Sequence, residues 1–407
     1  MFEQITVTRE VYGDGRNLLL CADGSVRQAT LAELAGAAQV VYLDPPFMTG
    51  EVFTRRRRFG ERGWRTGSPS PEYISYGDRY EDRAAYMAML RGLIENAWML
   101  LRSSGMLCLH LDWRSSAYAR MICDELFGPD RFVNEIIWAY ESGGRAKKYF
   151  SRKHDVILMY AKGRNYHFDV TRVPLSRSAT RRNHLKKSVD EEGRAYSSVV
   201  VGGKEYRYYD DEPVYPGDVW TDISHLQQRD PERTGFVTQK PLRLLDRLLR
   251  PLTKPGDLVV DLCCGSGTTL AAAQSLGCRY AGLDVSAEAL HVCLHRLAGS
   301  DLTLETPCSD DPAALSGSFS RAEGLLMLDG MDTRHEAFPR PDTALDPLES
   351  WCVGTLRDGV LHVEQSFRRT HRQPQLPPVC VVKDPSADIV VSTVDAAGRR
   401  RVYRWVD

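Results

Sequence analysis

Apolar positions along this chain follow two rhythms. Short, largely apolar runs at 17–21, 40–43, 106–111, 132–138, 154–160, 258–262 and 279–284 predict strands buried on both faces. Between them, 31–37, 80–101, 118–127, 242–252 and 288–297 carry helical spacing. In the second of these, Tyr86, Met89, Leu90, Leu93, Ile94, Ala97 and Leu101 share one face. Strands alternating with helices predict an α/β fold with a mostly parallel sheet. The pattern weakens across 141–217, where basic residues alternate with Tyr149, Phe150, Tyr166, Phe168, Tyr196, Tyr206, Tyr208 and Tyr209. An insertion of that length in an α/β domain is usually functional.

Beyond 300 the rhythm changes again. Residues 301–350 read as a loose acidic linker with a short helix near 321–328. Strand patterns at 351–356, 359–367, 378–383, 389–393 and 401–405, with turns at Asp358-Gly359 and Ala397-Gly398, predict a small antiparallel β module.

Composition narrows the class. A chain of 407 residues with 43% hydrophobic and 26% charged content is an ordinary globular protein, with room for a main domain of roughly 250–300 residues and a satellite. The net charge of −1 gives no global demand for an anionic partner, but charge is unevenly spread. Between 143 and 187 thirteen Lys or Arg face only Asp155 and Asp169, whereas eleven acids face three arginines between 301 and 350. That asymmetry predicts a local polyanion-binding surface. A further six arginines, interleaved with Phe59 and Trp64, lie between 55 and 65 and run into Gly67-Ser68-Pro69-Ser70-Pro71. So polar and Gly/Pro-rich a stretch predicts an unpacked loop, either a lid or a DNA contact. Ten scattered cysteines show neither zinc-site nor disulfide spacing, and adjacent Cys263-Cys264 are poorly placed to bridge. Reduced thiols in a cytoplasmic protein are expected, with no leader, membrane span or metal.

Two stretches carry chemistry. Asp44-Pro45-Pro46-Phe47 closes the 40–43 strand, so a carboxylate sits at the strand's carboxyl end, where open α/β sheets place ligands. Two prolines stiffen the turn and an aromatic face follows. The set suits a planar ring bearing an exocyclic amine. Far downstream, Asp261-Leu262-Cys263-Cys264-Gly265-Ser266-Gly267-Thr268 joins a strand to a helix through a glycine-rich turn. Asp284 ends the next strand 19 residues after Gly265, near the ~20-residue spacing at which a carboxylate meets a nucleotide-like ribose. Neither a Walker lysine nor a full GxGxxG is present, which disfavours ATP and NAD.

Acid-Pro-Pro-aromatic resembles motif IV of the amino-methyltransferases, and the Asp261 stretch resembles their S-adenosylmethionine motif, with Cys263 where the family usually carries Phe. Phe47-Met48-Thr49-Gly50 resembles the family's Phe-Asn-Thr-Gly form, with Met48 replacing Asn. Residues 232–241, ending Thr238-Gln239-Lys240-Pro241, resemble the segment that touches the cofactor's methionine end, and Asp23 matches the acid associated with its adenine. With the Asp44 motif first, the order is the circularly permuted one of the β-class DNA amino-methyltransferases, similar to modification subunits of bacterial restriction systems. The resemblance spans about residues 10–300 and implies a Rossmann-like, S-adenosylmethionine-dependent methyltransferase fold with a basic target-recognition insertion.

The implied division is a catalytic half at 1–140, the insertion at 141–217, a cofactor half at 218–300, the linker at 301–344 and the β module at 345–407. Asp44, Pro45, Pro46 and Phe47 are the implied catalytic set. Asp23, Thr238, Gln239, Lys240, Asp261, Cys263, Gly265, Ser266, Gly267, Thr268 and Asp284 are the implied cofactor set. Arg55, Arg56, Arg57, Arg58, Arg145, Lys147, Lys148, Arg181, Arg182, Lys186 and Lys187 are the candidate DNA contacts. The implied activity is methylation of adenine N6 in double-stranded DNA, because many cytosine-N4 enzymes begin the tetrapeptide with Ser. Cytosine-N4 methylation and a silent DNA binder are the alternatives, and a homodimer or a restriction or defence subunit are the assemblies considered.

Overall fold

A computed structural model describes residues 2–66, 71–141, 146–175, 186–309, 317–322, 324–331, 342–384 and 386–406. Its centre is six parallel strands in the spatial order Leu302–Glu305, Asn17–Cys21, Arg279–Asp284, Leu258–Asp261, Ala38–Leu43 and Leu101–Leu111. His154–Ala161 extends this sheet antiparallel, followed by Phe132–Ala139 and the short Val219–Trp220.

The all-buried Ala38–Leu43 strand shows why two helical layers are needed. Successive side chains of a strand point to opposite faces. Val40 and Tyr42 pack into one core with Leu244, Leu248 and Leu270 from the helices Leu242–Leu249 and Thr268–Ser275. Val41 and Leu43 enter the other with Leu90, Leu93, Ile94 and Ile122 from Arg83–Leu100 and Ser116–Phe127. The first of the latter helices starts where Asp82 accepts the Ala85 amide at 2.8 Å. The helix expected over 31–37 is a single turn, Ala29–Ala32.

Three expectations are corrected. The arginine-rich 55–65 stretch is packed: Val52–Arg56 pairs antiparallel with Glu72–Gly77, and Gly60–Thr66 is helical. Phe59 is buried against Leu348 and Trp351. Second, the acidic 301–350 segment contains Leu302–Glu305, a strand of the central sheet. Third, 321–328 is a hairpin, Gly317–Ala322 against Leu325–Met331, rather than a helix. Leu326 and Leu328 are buried while Leu325 and Met327 are exposed, which is the period of a strand.

The late strands Leu348–Arg357, Val360–Arg368, Ile389–Asp395 and Arg400–Trp405 are antiparallel neighbours, as expected. They continue the central sheet through Arg9–Tyr12, and Phe2–Ile5 closes the far edge. In the insertion, Lys186–Val189, Ala195–Val201 and Lys204–Tyr209 form a separate antiparallel sheet. No described helix is long and apolar enough to cross a membrane.

Candidate active site

Ala38–Leu43 and Leu258–Asp261 are parallel neighbours, with Asp261 opposite Tyr42. Asp44 and the glycine-rich turn therefore leave the sheet side by side. Lys240 spans the two, its ammonium donating to Asp44 Oδ1 at 2.7 Å and Oδ2 at 2.5 Å. The same ammonium lies 5.3 Å from the Phe47 ring centroid.

The turn after Asp44 is held by a carboxylate that no sequence motif singles out. Asp78 accepts the amides of Phe47 (3.2 Å), Met48 (2.8 Å) and Thr49 (2.9 Å), and the Thr49 hydroxyl at 2.6 Å. It is 1% exposed. Met48 has φ 59, a left-handed conformation that suits the family's Asn better than an unbranched apolar side chain. Three amide donors on one buried carboxylate offset that strain. Nearby, the Tyr86 hydroxyl donates to the Pro46 carbonyl at 3.1 Å.

Behind Phe47 lies a second unforeseen group. His110 stacks on the Phe47 ring, with centroids 6.3 Å apart and planes at 26°. Its Nδ1 meets the Tyr42 hydroxyl at 2.8 Å and its Nε2 meets Asp155 at 3.1 Å, while Tyr140 donates to Asp155 at 2.9 Å. Burial raises the Asp155 carboxyl, but His110 and the charge of Lys240 outweigh it and hold the group below its ordinary value. A lone histidine inside the apolar 106–111 run was the available signal.

On the glycine side, Gly265 has φ 47 and donates its amide to Asp284 at 2.9 Å. A Cβ there would lie 3.2 Å from the Phe236 ring. Gly267, at φ 73, opens the Thr268–Ser275 helix, and a Cβ there would lie 2.8 Å from Cys293 Sγ. Thr268 donates to the Lys240 carbonyl at 3.1 Å and so ties the helix start to the lysine loop. The Gln239 side chain is tied to its own loop: it accepts the Thr234 amide at 2.8 Å and donates to the Glu232 carbonyl at 2.8 Å. Burial pushes the Asp261 carboxyl up to about 7 and the Asp284 carboxyl up to about 6.

These elements enclose a cleft of about 510 Å³. All four residues of the Asp44 tetrapeptide line it, as do Asp23, Thr238, Gln239, Lys240, Asp261, Cys263, Gly265, Ser266, Thr268 and Asp284. Gly267 does not; it shapes the turn from behind. The cleft suits the cofactor the sequence implies. Asp284 supplies a carboxylate for a diol, the positive-φ Gly265 admits a close backbone approach, and the walls mix apolar and polar groups.

The candidate DNA contacts divide. Arg57 is 3% exposed, so it is no surface contact: its Nε meets Glu288 at 2.8 Å, and Nη1 meets Glu349 at 3.2 Å and the Ala396 carbonyl at 2.8 Å. Two carboxylates and a carbonyl make that burial tolerable. Arg58 lies 4.8 Å from the Trp64 ring. Arg56, Lys147, Lys148 and Lys187 are exposed. Arg145, Arg181 and Arg182, and the side chains of Arg55 and Lys186, lie outside the described residues.

A parallel sheet flanked by helices, with an acid-Pro-Pro-aromatic turn and a glycine-rich turn on one edge, defines the α/β methyltransferase class. The chain belongs to the DNA methylase family that covers N6 and N4 amino-methyltransferases, whose model matches residues 38–294. It is 24% identical over 328 residues to the type II methyltransferase M.EcaI of Enterobacter cloacae, covering 69% of each chain. It is 25% identical over 273 residues to the DNA adenine methyltransferase YhdJ of Escherichia coli, covering 66% of this chain and 80% of that one. Among solved structures, the PvuII cytosine-N4-specific DNA methyltransferase aligns with a TM-score of 0.43 and 14% identity, over 71% of this chain and 91% of that one.

Proposed function

We propose that this protein is a site-specific DNA methyltransferase that moves a methyl group from S-adenosylmethionine to N6 of an adenine extruded from double-stranded DNA. The carrying observation is that Asp44, Phe47 and Lys240 share one cleft with Gly265 and Asp284. Asp284 would hold the ribose hydroxyls, Asp23 the adenine end, and Thr238 and Ser266 the methionine end of the cofactor. When bound, S-adenosylmethionine presents a methyl on a sulfonium centre.

The target amine is a poor nucleophile because its lone pair is delocalised into the ring. Asp44 and the Pro45 carbonyl accept its two hydrogens and draw the nitrogen toward tetrahedral geometry. Lys240 holds both oxygens of the Asp44 carboxylate in place, so the amine takes over one of these contacts as it enters. Phe47 stacks on the base, backed by His110. Alignment of this kind contributes about 7–11 kcal/mol in well-oriented reactions. Adenine is favoured over cytosine by the acid at the head of the tetrapeptide, and a relative named as an adenine methyltransferase is consistent with it.

Incubation with unmethylated DNA and methyl-labelled cofactor, followed by nucleoside mass spectrometry, tests the reading. Labelled N6-methyladenine is expected. Labelled N4-methylcytosine would move the target, and no label would leave a silent binder. Asp44→Ala is expected to retain cofactor affinity by calorimetry and lose transfer by at least about 10²-fold.

A further inference from the structure

Phe132–Ala139 ends, and His154–Ala161 begins, at the end of the sheet that carries Asp44. Phe132–Ala139 is antiparallel to His154–Ala161, which is antiparallel to Leu101–Leu111, itself parallel to Ala38–Leu43. The carboxyl ends of Phe132–Ala139 and Ala38–Leu43 thus point the same way. At the root of the loop between these two strands, Tyr140 donates to Asp155, which holds the His110 ring against Phe47.

Among the described residues of the loop, the Tyr140 amide donates to the Lys153 carbonyl at 2.9 Å, and the Ala146 amide to Ser151 Oγ at 3.0 Å. Within it, Lys147, Lys148, Tyr149 and Phe150 are all exposed. Nearby aromatic faces are occupied. The Arg152 guanidinium lies 3.7 Å from the Trp113 ring centroid and 4.7 Å from that of Tyr149, and Arg114 lies 5.0 Å from Trp113. Phe150 differs from them. It is 98% exposed, next to Tyr149, whose ring Arg152 braces, and it follows the exposed Lys147 and Lys148.

We infer that Phe150 is a wedge that enters the duplex where the target base leaves it, while Lys147 and Lys148 hold the flanking phosphates. This inference rests on the reading of the site as one that acts on an extruded base. Extrusion leaves a gap between neighbouring base pairs and forfeits their stacking. An apolar ring with both faces open replaces that stacking, and inserted phenylalanines do so in other duplex-bending proteins. Lys147 and Lys148 supply the sequence-independent attraction that brings this segment to the backbone.

The test uses the full chain and two duplexes carrying its target site, mapped beforehand by long-read sequencing of methylated DNA. One duplex is fully paired; in the other the target base faces an abasic site, so extrusion is already easy. Phe150→Ala is expected to lose at least about tenfold in kcat/KM on the paired duplex, yet to stay within about twofold of the unsubstituted protein on the abasic one. Phe150→Trp is expected to recover most of the paired rate. An equal loss on both duplexes would make Phe150 a general DNA contact, and no loss on either would remove it from the reaction; each overturns the wedge. Failure of the unsubstituted protein to methylate either duplex would count against the methyltransferase reading instead.

Discussion

Residues 55–65 and 147–153 are both cations interleaved with aromatics, yet they occupy opposite environments. In the first, Arg57 sits between Glu288 and Glu349, and Phe59 joins the core formed by the late strands. In the second, Lys147, Lys148 and Phe150 face solvent, and Arg152 lies over the Trp113 ring. The difference comes from distant partners. Burying a guanidinium requires carboxylates to meet it, and Arg57 finds them 231 and 292 positions down the chain. No acid meets Lys147 or Lys148 among the described residues, so both stay hydrated. A run of cations therefore stays at the surface where the fold brings no acid to it.

The largest expected effect tests the buried side of this contrast. Arg57→Met leaves Glu288 and Glu349 without their shared cation, and is expected to lower unfolding free energy by about 3–5 kcal/mol in denaturant titrations. A change below about 1 kcal/mol would return this stretch to the surface class. The exposed side should behave in the converse way. Lys147→Ala with Lys148→Ala is expected to leave stability within about 0.5 kcal/mol. It should weaken DNA binding, flattening the slope of log affinity against log salt by about 1–2, one for each phosphate left without its lysine. Unchanged salt dependence would show that these lysines do not meet phosphates.

The gentlest test separates the cleft from the Arg57 clamp by pH. Asp261 and Asp284 have folded values raised by burial, to about 7 and about 6, above the ordinary 3.8. The folded protein therefore keeps protons that the unfolded chain has released, and stability falls as pH rises from 3.8 through those values. Arg57 is held further above its ordinary value and titrates nowhere in that window. Asp261→Asn should make the decline shallower in unfolding curves measured across it, whereas Arg57→Met should leave the share contributed by Asp261 and Asp284 in place. A slope unchanged by Asp261→Asn would locate the titration elsewhere.

Much of the central fold was legible because its signal is local. The strands at 17–21 and 279–284 occur with the expected bounds, since a largely apolar run bounded by turns has few other uses. Where acids far outnumbered basic residues, composition misled. Leu302–Glu305 lies in the central sheet, and the alternation of Leu325–Met331 was outweighed by the acids around it. Asp78 was illegible for another reason. Nothing near Tyr76-Gly77-Asp78 in the sequence says that its carboxylate will accept the amides of residues 47–49.

The order of residues alone dictates the two turns, the strands that end in them and which comes first, because backbone stiffness and apolar runs act over a few residues. Which charges lie inside is a property of the folded arrangement. Whether Arg57 meets Glu349, or Lys240 meets Asp44, depends on chain segments far apart in sequence arriving at one point. Desolvation makes those encounters decisive, since a cation stays buried only where the fold supplies its counter-charge.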